Sequence, residues 1–473
     1  MKQIALGLIE FYQHAISPYL PGACRYVPTC SHYAHGAIER FGIIRGGWIA
    51  IRRLARCRPS GGSGFDPIPP TKDETSHRGR LTSVPKWTAV SRTRLITRFA
   101  AVPLIALLAI TSLAGCVGSR STATESWSGL ASEGNDVFVG TKQGKVFQLS
   151  SAAGVPATRP FVAPDPGQEG GYPAFYGTPA VSQGRLYVAG YHGTVYAMDA
   201  GNLGGIQTFE IDGEDLAKGV AGGVIISEGK AVFAAAETPD SGRLYVVDAK
   251  TMVETCRYPA RGQTGVGQLW TTPLVDSGVA YFADLDHQLH AVRISDCSPV
   301  WAASPEFTGG VVATPVLLNG SLYIGSFDKV FYAVDASSGL VASEFTADGW
   351  FWGTPATDGQ RLYVPNVDGH IYGYEPGIGV IWKYPDEPDA DPIVSRPVVI
   401  NGQIFYGDDD GTLTVLDART GEFQWDRKIG SKIRAPLTNS GDLLFIQTVD
   451  DLVSAIDITT KRMVWSRELE DLD

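Results

Sequence analysis

Charge and sulfur are both scarce in this chain. Asp, Glu, Lys and Arg make up 19% of its 473 residues, and it has four methionines and six cysteines. No cysteines stand as CxxC or CxxCH, which excludes a redox dithiol of that type and covalently attached haem. The basic recognition helix and interleaved aromatics of a nucleic-acid binder are missing too, so no nucleic-acid partner is expected. What the chain has in quantity is glycine and proline, 55 and 29, a balance that suits a turn-rich all-β protein. Hydrophobic residues, at 44%, suffice for a globular interior, and the length calls for two or more domains.

The net charge of −11 is unevenly placed. Residues 1–70 hold eight Lys/Arg against three Asp/Glu and residues 71–98 seven against two, +5 each, so residues 99–473 carry −21. A basic head and an acidic body face different surroundings, and an acidic body of this size binds nucleic acid poorly. Cys24, Cys30 and Cys57 lie in the head, Cys116 ends an apolar run, and Cys256 and Cys297 lie in the body.

That apolar run, FAAVPLIALLAITSLAG at residues 99–115, follows Arg92, Arg94 and Arg98. It is short for a transmembrane helix and Pro103 interrupts it, but it has the length of a signal-peptide core. Leu113-Ala114-Gly115-Cys116 resembles the lipobox of bacterial lipoproteins. The resemblance implies diacylglycerol on the Cys116 thiol and cleavage before it; the other reading is a signal anchor with an incidental cysteine. About ninety residues precede the run, where a lipoprotein signal would start a chain. Either residues 1–98 stay in the cytosol and the run is an internal signal, or two products have been joined by fusion or gene-model error. The basic residues of 71–98, otherwise a polar flexible tether, put the head in the cytoplasm and the body outside.

In the head, Ile4, Leu8, Ile9, Tyr12 and Ile16 share one face of an amphipathic helix expected over residues 2–16, suited to its own small core or to a membrane interface. A second apolar and basic segment, residues 34–58, is expected to be broken at Gly42, Gly46 and Gly47 and ends in Arg52, Arg53, Arg56 and Arg58. Such a patch gains about 1 kcal/mol per basic residue beside anionic lipid. Between and after these segments stand Cys24-Arg25-Tyr26-Val27-Pro28-Thr29-Cys30-Ser31-His32-Tyr33-Ala34, then Arg53-Leu54-Ala55-Arg56-Cys57-Arg58-Pro59, then Gly64-Phe65-Asp66-Pro67-Ile68-Pro69. This order resembles the YidD family of membrane protein insertion efficiency factors over essentially all of residues 1–70. The resemblance implies a small module peripheral to the inner face of the plasma membrane, working with the insertion machinery, without known catalytic chemistry. It marks Cys24, Arg25, Pro28, Thr29, Cys30, Ser31, Tyr33, Cys57, Pro59, Asp66 and Pro67 as the family motif. Three thiolates with His32 or His35 would make a zinc set, but the five-residue gap from Cys24 to Cys30 is loose, and small buried cysteines are the default reading.

From residue 120 onward the chain repeats at about forty residues. Units begin near Ser128, Thr178, Gly222, Thr272, Thr314, Thr354, Arg396 and Ala435, each of short alternating strands between Gly, Asp and Asn turns. The expected architecture is an eight-bladed all-β propeller of four-stranded sheets over residues 120–473, joined to a small α-helical membrane-associated module. In Asp417-Ala418-Arg419-Thr420-Gly421 the carboxylate caps a turn, and Trp425, eight residues after the Asp, falls in the outer strand where it can pack on the next blade. Trp301, Trp382 and Trp465 recur with it, and Cys256 and Gln207 stand where two others would be. Cys256 and Cys297 are one repeat apart in different positions of their units, which leaves a bridge between blades and two free thiols both open.

The repeat resembles that of pyrroloquinoline quinone dehydrogenases and of lipoproteins similar to BamB of the outer-membrane assembly machinery. The enzymes' adjacent cysteine pair is missing, as are haem motifs and a placeable acidic pair for calcium and base. Asp408-Asp409-Asp410 reads as a turn rather than a cage. The expectation is therefore a protein-binding scaffold with no cofactor and no enzymatic activity; the alternative is a quinone-dependent oxidoreductase propeller. Trp350, Phe351 and Trp352 are candidates for a binding surface, at least one of them for the core between blades.

Overall fold

Alternating apolar residues between turn-formers fold residues 130–468 into eight antiparallel sheets, at 130–162, 180–210, 225–258, 274–293, 316–346, 356–384, 398–428 and 438–468, numbered here blades 1 to 8. This computed structural model describes residues 2, 26–27, 30–56, 64–65, 127–164, 173–212, 219–238, 241–386 and 391–472. The expected helix over 2–16 apart from Lys2, the tether 71–98 and the run 99–116 with Cys116 lie outside them. The chain divides into two units, residues 1–122 and 123–473.

Seven blades have four strands, and their first strands neighbour those of adjacent blades around the axis. The middle two strands of each blade are buried on both faces, as at Leu186–Ala189 and Val195–Met198, which is why they read as nearly continuous apolar runs. Blade 4 departs from expectation with only three strands. Its fourth segment carries Pro299 and Pro305, which lack ladder donors, and pairs only through the bridges Val292 to Pro299 and Gln288 to Glu306.

Where an Asp precedes the outer strand, its carboxylate caps the turn as expected. The Asp335 carboxylate accepts N–H bonds from Ser337 and Ser338, Asp417 from Arg419 and Thr420, and Asp457 from Thr460. These bonds hold the Asp335 carboxyl down at about 2, hydroxyl bonds from Ser337 and Ser338 contributing most. Four residues after each such start the backbone turns left-handed, at Gly339, Gly421 and Lys461 among others. The preceding blade's Trp lands there. Trp301 packs on Gly339 and donates to Ala336 O at 3.0 Å; Trp382 packs on Gly421; the Lys461 ammonium lies 5.9 Å from the Trp425 ring.

No strand is exchanged to close the ring, so blade 8 meets blade 1 through side chains. Trp465 covers Gly154 and donates to Ser151 O at 2.8 Å. Thr438 Oγ1 donates to Leu130 O at 2.7 Å, and buried Gln447 donates to Gly140 O at 3.2 Å. Leu130, Val139, Phe147, Phe445, Val453 and Trp465 form the apolar seam.

In the N-terminal unit the helix Cys30–Arg56 is broken at Gly42, where φ is 75°. Of the three expected breaks only this one occurs. Gly46 instead lies against Ala37: a Cβ there would stand 2.1 Å from the Ala37 carbonyl oxygen. The helix thus folds back at Gly42, and its halves meet where only glycine fits. Among the described residues no helix is long and apolar enough to cross a membrane.

Candidate functional site

In the N-terminal unit Tyr26–Val27 pairs in parallel with Gly64–Phe65. This brings the chain flanking Cys24 and Arg25 beside the chain leading to Asp66 and Pro67, two motif segments forty residues apart in sequence. Cys30 and Ser31 open the helix and Tyr33 is buried in its first turn. Cys24, Arg25, Pro28, Thr29, Cys57, Pro59, Asp66 and Pro67 lie outside the described residues. On the helix's second half, Trp48 and Ile51 are exposed beside Arg45 and Arg52, and the Arg45 guanidinium lies 5.0 Å from the Phe41 ring.

In the propeller Cys256 and Cys297 form a disulfide with Cα atoms 5.8 Å apart. Cys256 occupies the outer-strand position of a docking Trp, and Cys297, at φ 57°, the left-handed turn position on which that Trp would rest. The bridge therefore replaces one Trp-on-turn contact, between blades 3 and 4. Blade 3 also has the longest strands, Lys230–Thr238 and Ser241–Asp248, around a buried ionic cluster. Arg243 Nε donates to Glu237 at 2.6 Å and its other nitrogens to the carbonyls of Pro259, Ala260 and Gln263. Tyr245 donates to Glu237, and Arg257 binds Glu254 and, at 2.8 Å, Asp212. Burial and the Glu237 carboxylate push the Tyr245 hydroxyl far above its ordinary range. Among the described residues the buried Arg243, Arg257 and Glu237 are all paired, and the bonds from Arg243 to the carbonyls of Pro259, Ala260 and Gln263 tether that loop.

At the axis one residue from each blade start forms a ring, of which Gly129 and Gly223 are buried, the threonines and Pro436 half-buried and Arg396 exposed. The ring residues are Gly129, Thr178, Gly223, Thr272, Thr314, Thr354, Arg396 and Pro436. Contacts trace most of it: a Cβ on Gly129 would meet Thr178 Oγ1 and Pro436, Gly223 N donates to Thr272 Oγ1 at 2.7 Å, Thr314 N to Thr354 Oγ1 at 3.0 Å, and Leu437 N to Arg396 O at 3.3 Å. Two residues earlier on each blade lies a half-buried collar that includes Trp127, Tyr176, Trp270 and Trp352. Of the three candidates at 350–352, Phe351 is fully buried against Phe331 and Phe345, while the half-buried Trp350 and Trp352 flank Phe327. Asp408 accepts the Asp410 and Thr412 N–H groups, Asp409 pairs with Arg434 at 2.6 Å and Asp410 with Lys428 at 2.6 Å, so these three carboxylates serve a turn and two ion pairs. Burial raises the Asp408 carboxyl above its ordinary value.

Residues 1–69 match the YidD family model, described as "Putative membrane protein insertion efficiency factor". Proteins of that description from Laribacter hongkongensis and Azotobacter vinelandii are 58% identical over 69 residues and 50% identical over 76; the matches span 15% and 16% of this chain but 100% and 94% of theirs. The chain belongs to the YidD family through this segment. Residues 296–395 and 379–472 match the model of the outer membrane protein assembly factor BamB. BamB from Moraxella catarrhalis superposes with a TM-score of 0.56 at 19% identity, covering 69% of this chain and 93% of BamB. A europium-containing methanol dehydrogenase gives 0.54 at 14%, covering 72% and 84%. At these identities the structures show a shared propeller fold. The chain thus joins a YidD-family segment to a BamB-like propeller.

Proposed function

We propose that this chain is a non-enzymatic factor of envelope biogenesis. Its head lies on the cytoplasmic face of the inner membrane and assists insertion of integral membrane proteins. Residues 99–116 carry the chain across, Cys116 takes the lipid, and the propeller binds protein partners outside the cytoplasm. The observation that carries this reading is the match to whole insertion efficiency factors at one end of a chain whose other end is BamB-like. Three features support the sidedness: the basic residues of 71–98, the lipobox-like Leu113–Cys116 sequence, and a disulfide in the body, a bond that persists in oxidising compartments.

Protease added to spheroplasts, followed by antibodies to each end, tests the arrangement. The expected result is loss of the propeller with the head protected. A propeller that resists outside but is cleaved after lysis overturns the reading, and a short head species that persists when globomycin blocks cleavage before Cys116 shows two separate proteins. Intact-mass analysis tests the anchor: globomycin blocks processing at Cys116, and C116S lacks the lipid mass.

A further inference from the structure

Blade 8 meets blade 1 without a shared strand, and the seam leaves a cleft of about 280 Å³. Thr141, Gln143, Lys145 and Phe147 of blade 1 line one part of it; Asp451 of blade 8, with Leu469 and Glu470 of the turn that follows, lines the rest. None of the ring residues at the axis contributes to this lining. The walls are held by the backbone. Thr141 Oγ1 accepts the Lys145 N–H at 3.1 Å within the blade 1 turn, and Leu469 N donates to Asp451 O at 3.1 Å, which fixes the last turn against blade 8. Across the seam Gln143 Nε2 donates to Glu470 Oε1 at 3.2 Å, and Gln447 donates both to Gly140 O and, at 3.1 Å, to Asp451 Oδ1. The Asp451 carboxylate is buried, with the Lys142 ammonium 3.8 Å from its Oδ2.

Lys142 and Lys145 set against Asp451 and Glu470 give the cleft both signs of charge and no net one. A lone cation or anion meets as much repulsion as attraction there, whereas a molecule carrying both signs meets a partner for each. The Thr141 hydroxyl accepts a backbone N–H and keeps its own O–H to donate. The buried Phe147 and Leu469 side chains add an apolar part to the lining. The volume lies below the roughly 300–1,000 Å³ of pockets that take drug-sized ligands, so the occupant is small.

We propose that this cleft binds a free α-amino acid with an apolar side chain. The Asp451 and Glu470 carboxylates take its ammonium, Lys145 takes its carboxylate, and Phe147 and Leu469 take its side chain. Because the lining comes from the first and the last blade together, the bound molecule ties the seam and raises the stability of the ring. The site rests on the propeller's geometry and stands whether or not the head assists insertion.

The test uses the purified full chain, with titration calorimetry and melting temperature as readouts. Leucine is compared with leucinamide, which lacks the carboxylate, with 4-methylpentanoate, which lacks the ammonium, and with glycine, which lacks the side chain. Leucine binds more tightly than each of the three by about tenfold or more. At a concentration about a hundredfold above its Kd it raises the melting temperature by about 4 °C. Lys145→Gln binds leucine and leucinamide alike, and Glu470→Gln narrows the gap between leucine and 4-methylpentanoate. Glu470 is exposed, so Glu470→Gln keeps the native melting temperature in the absence of ligand, which separates loss of binding from loss of fold. No binding of leucine, valine or phenylalanine at millimolar concentration, equal binding of leucine and any of the three analogues, or a Glu470→Gln chain that discriminates like the native one would overturn the proposal.

Discussion

Replacing Cys256 and Cys297 by serine tests the reasoning about blade docking most directly. The bridge closes a loop of 41 residues between blades 3 and 4. In the chain-entropy account a loop of that length restricts the unfolded chain by about 4 kcal/mol at 25 °C. Residues 123–473 unfold with an entropy of about 0.7 kcal/mol/K if they melt as one unit, so the loss lowers the melting temperature by about 5 °C. Blade 4 magnifies the local effect, because its fourth segment is tied by isolated bridges and the disulfide is the covalent hold on that side. Amide exchange after the double substitution should therefore rise first in residues 279–301, ahead of blades 6 and 7, where Trp382 and Trp425 dock normally. A second substitution makes the argument sharper. Cys256→Trp with Cys297→Gly rebuilds the contact seen at Trp301 and Gly339, and should recover a substantial part of the lost stability without any sulfur. Scanning calorimetry with and without dithiothreitol reads the first effect. A double-serine chain that melts with the native one, reduced or oxidised, would refute the claim that this contact holds the two blades together.

Four other outcomes follow from the same geometry. Trp465→Ala removes the ring-closing side chain and should cost about 3–5 kcal/mol in denaturant unfolding; a loss below about 1 kcal/mol would show that the seam closes without it. Glu237→Ala strands Arg243 and Tyr245 in the interior of blade 3 and should cost about 3–5 kcal/mol, with Glu237→Gln milder, measured the same way. The turn carboxylates are depressed in the folded state, so their stabilisation is present above the unfolded value of 3.8 and is lost as pH falls toward about 2; melting temperature should drop across that window, and less steeply in a chain carrying Asp335→Ala. Gly46→Leu forces a side chain into the Ala37 main chain and should abolish the helical hairpin of the head, read by circular dichroism of the full chain and by failure to complement a strain lacking its insertion efficiency factor; unchanged complementation would count against the hairpin.

The sequence disclosed what repeats and concealed how one repeat meets the next. Blade number, strand alternation, the Asp-capped turn and the docking Trp all recur in cis, within forty residues, and each could be read where it stood. The disulfide was different. Cys256 was legible as a substitute for Trp, and Cys297 as a turn residue, yet their pairing depends on the outer strand of one blade lying over the turn of the following blade. That vector between blades appears in no single repeat. The same limit hid the three-stranded blade 4, where Pro299 and Pro305 are ordinary in a loop and matter only because a ladder donor is needed there. In the head, Gly46 looked like a helix breaker because local propensity says so, whereas packing against Ala37 keeps it helical and makes its missing side chain essential. Arg396 completes the point from the other direction. Thr178, Thr272, Thr314 and Thr354 stand at the matching place in four other units, so Arg396 is informative only once these positions are known to form a ring. In a repeat protein the shared residues explain the fold, and the exceptions that tertiary structure brings together are where a particular function has room to reside.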